Sequence, residues 1–143
     1  MEFDKEFLGK LLEQAMENPR LRQNFDLRTS SADTSQRMLN ALQPQTEVSI
    51  HRHEKTAETV ICLVGKLEEI IYEEVNEYVH EATSCCDDVI RQKNFKEVSR
   101  QILSPAEGKF GIQIPAGAWH TINVIEPSVI FEAKDGAYKR GDR

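Results

Sequence analysis

Two histidines one residue apart, His51 and His53, precede a glutamate, Glu58, in the segment Glu47-Val48-Ser49-Ile50-His51-Arg52-His53-Glu54-Lys55-Thr56-Ala57-Glu58. Imidazole and carboxylate are both donors to divalent metal ions. Side chains of an extended strand alternate faces, so the two imidazoles project to one side, about 6–7 Å apart along the backbone, and Arg52 points to the other. The polar stretch Glu54 to Ala57 turns the chain, and Glu58 opens the next apolar run from where its carboxylate can swing back to the same ion. A third imidazole comes from Ile114-Pro115-Ala116-Gly117-Ala118-Trp119-His120. There Pro presets φ and Gly tolerates the positive φ of a tight bend, which fixes where the strand carrying His120 begins. His51, His53, Glu58 and His120 together make a mixed nitrogen and oxygen site for one divalent metal ion, with room left for water or substrate. The donor set suits Fe, Mn, Ni, Co or Zn without choosing among them. Ligation requires neutral imidazoles and an ionised carboxylate, so affinity is expected to fall as the pH drops through the ordinary imidazole range.

Singly, each of these residues has an ordinary structural explanation. A His-x-His pair is a common half-exposed strand feature, Glu58 a solvent-facing strand residue, and His120 a hydrogen-bonded core imidazole. Their joint spacing inside a strand-rich chain is what points to a metal.

The elements that must position them are strands. From Glu47 the chain runs in short β-branched stretches, 47–52, 58–64, 66–75, 95–103, 110–114, 119–125 and 128–134, punctuated by turn residues. Short strands at this spacing argue for an all-β sandwich or barrel. Gly65-Lys66 is read as a hairpin turn. Ahead of the strands, residues 3–18 form an amphipathic helix, with Phe7, Leu8, Leu11, Leu12, Ala15 and Met16 at helical spacing, Asp4 as cap and Phe3 packing on Leu8 as a staple. Asn18-Pro19 ends the helix, Thr29 to Ser35 is a polar loop, and 37–42 is a first strand closed by Pro44. Residues 1–35 are thus a helix and flanking loop, 36–138 the barrel, and 139–143 a tail. The polar segment of about 76–94 interrupts the strands as an extended hairpin tip or an inserted turn of helix. It contains His80, Cys85 and Cys86, but its flanking charges and lack of a turn glycine mark a solvated loop rather than a second metal site.

A chain of 143 residues is long enough to bury an independent core as one domain. The hydrophobic fraction of 39% and charged fraction of 29% are those of a globular protein. Acidic residues outnumber basic ones, 24 to 18, for a net charge of -6, and the Lys and Arg residues are dispersed, so nucleic acid is not an expected partner. No apolar run approaches the roughly 20 residues that span a bilayer, and the acidic amino terminus does not look like a signal peptide. Three cysteines, two of them adjacent, suit a reducing compartment, and Cys62 in an apolar run reads as a small buried hydrophobe. A cytoplasmic protein is expected, with no membrane partner.

The spacing of His51, His53, Glu58 and Gly65 resembles the first cupin motif, G-x5-H-x-H-x3,4-E-x6-G, and Pro115, Gly117 and His120 resemble the second, G-x5-P-x-G-x2-H-x3-N. Gln45, Lys109 and Val124 replace a Gly, a Gly and an Asn of those patterns, departures that touch turns and packing rather than ligands. Within the cupins the chain is similar to the WbuC-type metalloproteins through Gln36 to Pro44, His51-Arg52-His53, Pro115 to Thr121 and Glu132 to Tyr138. The resemblance implies a double-stranded β-helix, or jelly-roll barrel, and a surface-polysaccharide (O-antigen) setting. It also offers Arg37, Asn40, Lys134 and Tyr138, in segments flanking the motifs, as substrate contacts. Two functions follow as expectations. In one, an enzyme uses its metal to polarise a carbonyl or hydroxyl of a small carbohydrate-like or acidic substrate, for isomerisation, dehydration or oxygen chemistry. In the other, a non-catalytic module binds such a small molecule through the ion. A structural sandwich with incidental histidines is the plainest alternative. Barrels of this kind have exposed sheet edges, and a homodimer is expected.

Overall fold

The computed structural model describes residues 1–80 and 89–138, with side chains outside 77–93. Helix α1 (Lys5–Glu17) starts where Asp4, in extended conformation, accepts the Phe7 N–H at 2.9 Å. It ends at Asn18, whose N–H reaches back to Gln14 and Ala15 carbonyls. Phe3 packs on Phe7 of the helix, with ring centroids 5.9 Å apart.

Six strands follow: β1 (Arg22–Asp26), β2 (Ser35–Leu42), β3 (Glu58–His80), β4 (Val89–Leu103), β5 (Gly111–Ile114) and β6 (Trp119–Asp135). They form one antiparallel sheet in the order β1-β2-β6-β3-β4, with β5 on the free side of the first part of β3. Arg22–Asp26, inside the segment read as an amino-terminal flank, pairs with β2 along its whole length. Residues 47–52 make only an isolated bridge at His51 instead of a strand. The two arms of the 76–94 segment that are described extend the β3–β4 hairpin, with Asn76 opposite Lys93 and His80 opposite Val89. Cys85 and Cys86 lie outside the described residues.

Gly65-Lys66 is not a hairpin turn. The runs 58–64 and 66–75 belong to the single strand β3, and 119–125 and 128–134 to the single strand β6, each bent at a corner where the β3–β6 register shifts. Gly65 holds the corner with φ +96, and a Cβ there would run into Pro127 O and Ser128 Oγ. Ser128, fully buried, accepts the Lys66 N–H (3.0 Å) and donates to Glu126 O (2.7 Å), satisfying the polar groups that the bulge leaves out of the ladder. Because each long strand bends, each serves both walls of the barrel. Residues 58–62 of β3 pair with 130–134 of β6 and with β5, whereas residues 66–72 pair with 119–126 of β6.

Strand alternation then sorts the side chains. Leu42, Val60, Cys62, Leu67, Leu103, Ile114, Val124 and Ile130 fill the closed end of the barrel, each fully buried aliphatic contributing about 1.5–3 kcal/mol. On the outer face, α1 lays Leu11 and Ala15 over Leu39, Ala41 and Val129, with Phe25 and Phe131 at the edges. Several other inward positions, Gln36 and Asn40 of β2, Glu58 of β3 and Glu132 of β6 among them, are buried and polar, and these four define the other end.

Candidate metal centre

The two histidine-bearing segments are laced together by backbone. His51 N–H donates to His120 O (3.0 Å), His120 N–H to His51 O (2.8 Å), and Gly117 N–H to His53 O (2.7 Å). Thr121 Oγ1 adds a bond to Val48 O at 2.5 Å. Outside the barrel the Arg52 guanidinium lies over the Trp119 ring, 4.6 Å from its centroid, and pairs with Glu54 at 2.8 Å. Segment 48–53 therefore needs no ladder of its own to be held in place. Gly117, with φ +81, makes the turn that feeds His120 into β6. Gln45, standing where the first motif has glycine, takes φ +74, so the left-handed backbone is kept although the glycine is not.

These contacts bring His51, His53 and His120 together, one ring nitrogen from each lying within 4.8 Å of the others. Glu58 joins them from the start of β3, its Oε2 3.0 Å from His53 Nε2 and 3.6 Å from His120 Nε2. Glu58, His53 and His120 are 4%, 8% and 3% exposed, a burial that ionisable groups tolerate only with strong partners. Nδ1 of His51 faces Ser49 O at 2.8 Å and Nδ1 of His120 faces Ala118 O at 2.9 Å. A ring that donates from Nδ1 to a carbonyl presents the lone pair of Nε2, the arrangement usual for metal-ligating histidines. His53 Nε2 is fully buried, with the Glu58 carboxylate as its close neighbour. A divalent ion fits this donor set.

His53 differs in its outer contact, because its Nδ1 lies 3.0 Å from Lys134 Nζ. An ammonium can only donate, which puts the ring proton on Nε2. A cation held by Nε2 requires the opposite tautomer, so Lys134 must move off Nδ1 when an ion is bound.

Lys134, Glu132, Gln36 and Tyr138 wall a narrow pocket that ends on His53 and Glu58. Asn40 and Tyr138 line a larger cleft of about 590 Å³ that reaches His51 from the other side. Arg37 is not brought there. It is one residue out of phase with the cleft-facing Gln36 and Met38, and its guanidinium bonds Asp33 (3.2 Å) and Ser35 O (3.0 Å). The cleft has three arginines that the sequence reading missed, Arg20, Arg22 and Arg28. Arg28 is bound in a fork to Asp26, at 3.0 and 2.7 Å, and holds that carboxyl below the usual carboxylate range. The signal for them was the period-two run Arg22, Asn24, Asp26, which marks one polar face of a strand. Among the described residues no helix is long and apolar enough to cross a membrane.

The family model described as "Domain of unknown function (DUF6016)" matches residues 3–83. No curated protein matches. Among solved structures, TT1209 from Thermus thermophilus is 19% identical, with 95% of this chain and 98% of that one covered and a TM-score of 0.59. KdgF from Halomonas sp. is 15% identical, with 85% and 82% covered and a TM-score of 0.54. A cupin-2 domain from Rhodospirillum rubrum is 12% identical, with 83% and 62% covered and a TM-score of 0.50. At these identities the likeness is one of fold, and the fold is the cupin barrel that the motifs implied. With residues 3–83 matched, more than half of its length, the chain belongs to the family described as a domain of unknown function (DUF6016).

Proposed function

We propose that this protein is a mononuclear metalloprotein that holds one divalent ion on His51, His53, Glu58 and His120 and acts on a small carbohydrate-like or acidic metabolite in the adjoining cleft. The observation that carries the reading is the convergence of three ring nitrogens within 4.8 Å, with a buried carboxylate oxygen 3.0 Å from one of them. A bound ion supplies Lewis-acid polarisation of a substrate carbonyl or hydroxyl oxygen, for isomerisation, dehydration or oxygen chemistry. The rest is left to the chain. Glu132 and Lys134 bring a carboxylate and an ammonium to the pocket beside His53, where a proton can be taken up or delivered. Asn40 and Tyr138 orient the substrate by hydrogen bonding from the cleft wall. The likeness of the flanking segments to WbuC-type proteins supports a setting in surface-polysaccharide biosynthesis.

The test is turnover of nucleotide sugars and small hydroxy acids by metal-loaded protein, followed by NMR, in wild type and in a His53→Ala variant whose fold is checked by circular dichroism. Product from the wild type and none from the variant supports the reading. Ligand-induced stabilisation with no product from any compound would make the protein a binding module.

A further inference from the structure

We infer that the cleft beside the metal centre takes an anion, a small molecule whose carboxylate or phosphate group sits on Arg20 and Arg22 while its other end reaches toward His51. The orientation toward His51 rests on the metal reading, but the preference for an anion does not.

The chain carries a net charge of -6, yet Arg20, Arg22 and Arg28 line this cleft, and among the described residues lining it Asp26 is the single acidic one. Arg28 and Asp26 neutralise one another in their forked ion pair. Among the described lining residues, three arginines thus stand against one carboxylate. The Arg20 guanidinium makes no ion pair or hydrogen bond among the described residues, and its backbone carbonyl is tied down by Thr46 Oγ1 at 2.6 Å. Arg22 is half-buried on the edge strand β1, in phase with Asn24 and Asp26, while the alternate residue Phe25 packs against α1. That phase turns Arg22 toward the cleft and away from the helix.

An arginine fork matches the geometry of carboxylate and phosphate oxygens, and half-buried Arg22 is less screened than the exposed Arg20. The cleft volume of about 590 Å³ suits a molecule of metabolite size. Because His51 lines the same cleft, one molecule can touch both the arginines and the metal centre.

The experiment is calorimetric titration of the whole protein, loaded with one equivalent of Ni²⁺ and again after chelation. The probes are inorganic phosphate and glucose 6-phosphate, succinate and citrate, and the neutral controls glucose and succinamide. Anionic probes are expected to bind and the neutral ones not to, with the two anion families separating a phosphate preference from a carboxylate one. Arg20→Gln and Arg22→Gln should each weaken anion binding about tenfold, the effect of losing one charge-assisted hydrogen bond. The Arg20 side chain makes no hydrogen bond or ion pair among the described residues, and a thermal melt checks the fold of both variants. Equal binding of glucose and glucose 6-phosphate, unchanged binding by both variants, or no binding of any anionic probe overturns the inference. Arginine-dependent anion binding in a protein that retains no metal would sink the metal reading and leave the anion site standing.

Discussion

Replacing Gly65 with alanine probes the corner that sets Glu58 of β3 against the histidines. An alanine Cβ would stand 2.7 Å from Ser128 Cα and would also collide with Pro127 O and Ser128 Oγ, none of which is the loose end of a flexible side chain. Holding φ at +96 costs a non-glycine residue about 1–2 kcal/mol, and forcing a methyl into a packed site costs about 1–3 kcal/mol more. Gly117→Ala is the internal control. Its φ is +81 but nothing lies within 4 Å of the added Cβ, so only the conformational cost applies. Both changes reduce the freedom of the unfolded chain equally, so the difference between them isolates the steric term. For a domain of this size about 1 kcal/mol moves Tm by about 2–4 °C, so Gly65→Ala should fall about 10 °C and Gly117→Ala about 4 °C. Both are read by circular dichroism melts in chelator, since a bound ion would stabilise each by mass action. A Gly65→Ala loss no larger than that of Gly117→Ala would show that β3 and β6 do not approach at this corner.

Lys134→Gln should raise metal affinity about tenfold in competitive dialysis, because an amide can accept the His53 Nδ1 proton that an ammonium opposes; weaker binding would contradict the outer-contact argument. Asp4→Ala should lower Tm by about 2–4 °C, the value of one lost helix cap, and no change would mean that the cap contributes nothing. Burial pushes the Cys62 thiol up to about 11, so in a Cys85→Ser/Cys86→Ser background it should resist a thiol reagent at pH 8 until urea opens the barrel. Rapid labelling of the folded protein would refute its burial.

The convergence of His51, His53 and His120 was legible because strand alternation makes His-x-His a single-sided pair and because Pro115 and Gly117 mark where His120 enters its strand. Helix α1 was legible because Phe7, Leu8, Leu11, Leu12 and Ala15 repeat at helical spacing, and Asp4 does cap it. The strand count was not. Gly65 and Pro127 look like reversals in sequence, whereas the chain bends there and continues, since Ser128 satisfies the bulged backbone and the ladder resumes beyond it. β1 was missed because four of its five residues are polar and only Phe25 faces the helix. Its other face is the cleft wall, so the residues that disguise it as a loop are those that supply Arg22. Arg37 looked like a site residue from its neighbours, but one step of strand phase separates it from Gln36 and Met38. The Asn76 side of the insertion carries no alternation to read, yet its backbone extends the β3–β4 pairing.

The most direct measurement is the metal content of untagged protein after dialysis against a mixture of Mn²⁺, Fe²⁺, Co²⁺, Ni²⁺ and Zn²⁺, determined by elemental analysis for wild type and a folded His51→Ala/His53→Ala variant. A coordination set built from three imidazoles and Glu58 should retain about one equivalent in total in the wild type and lose it in the variant. Less than about a tenth of an equivalent in the wild type, or equal content in the two proteins, would contradict it.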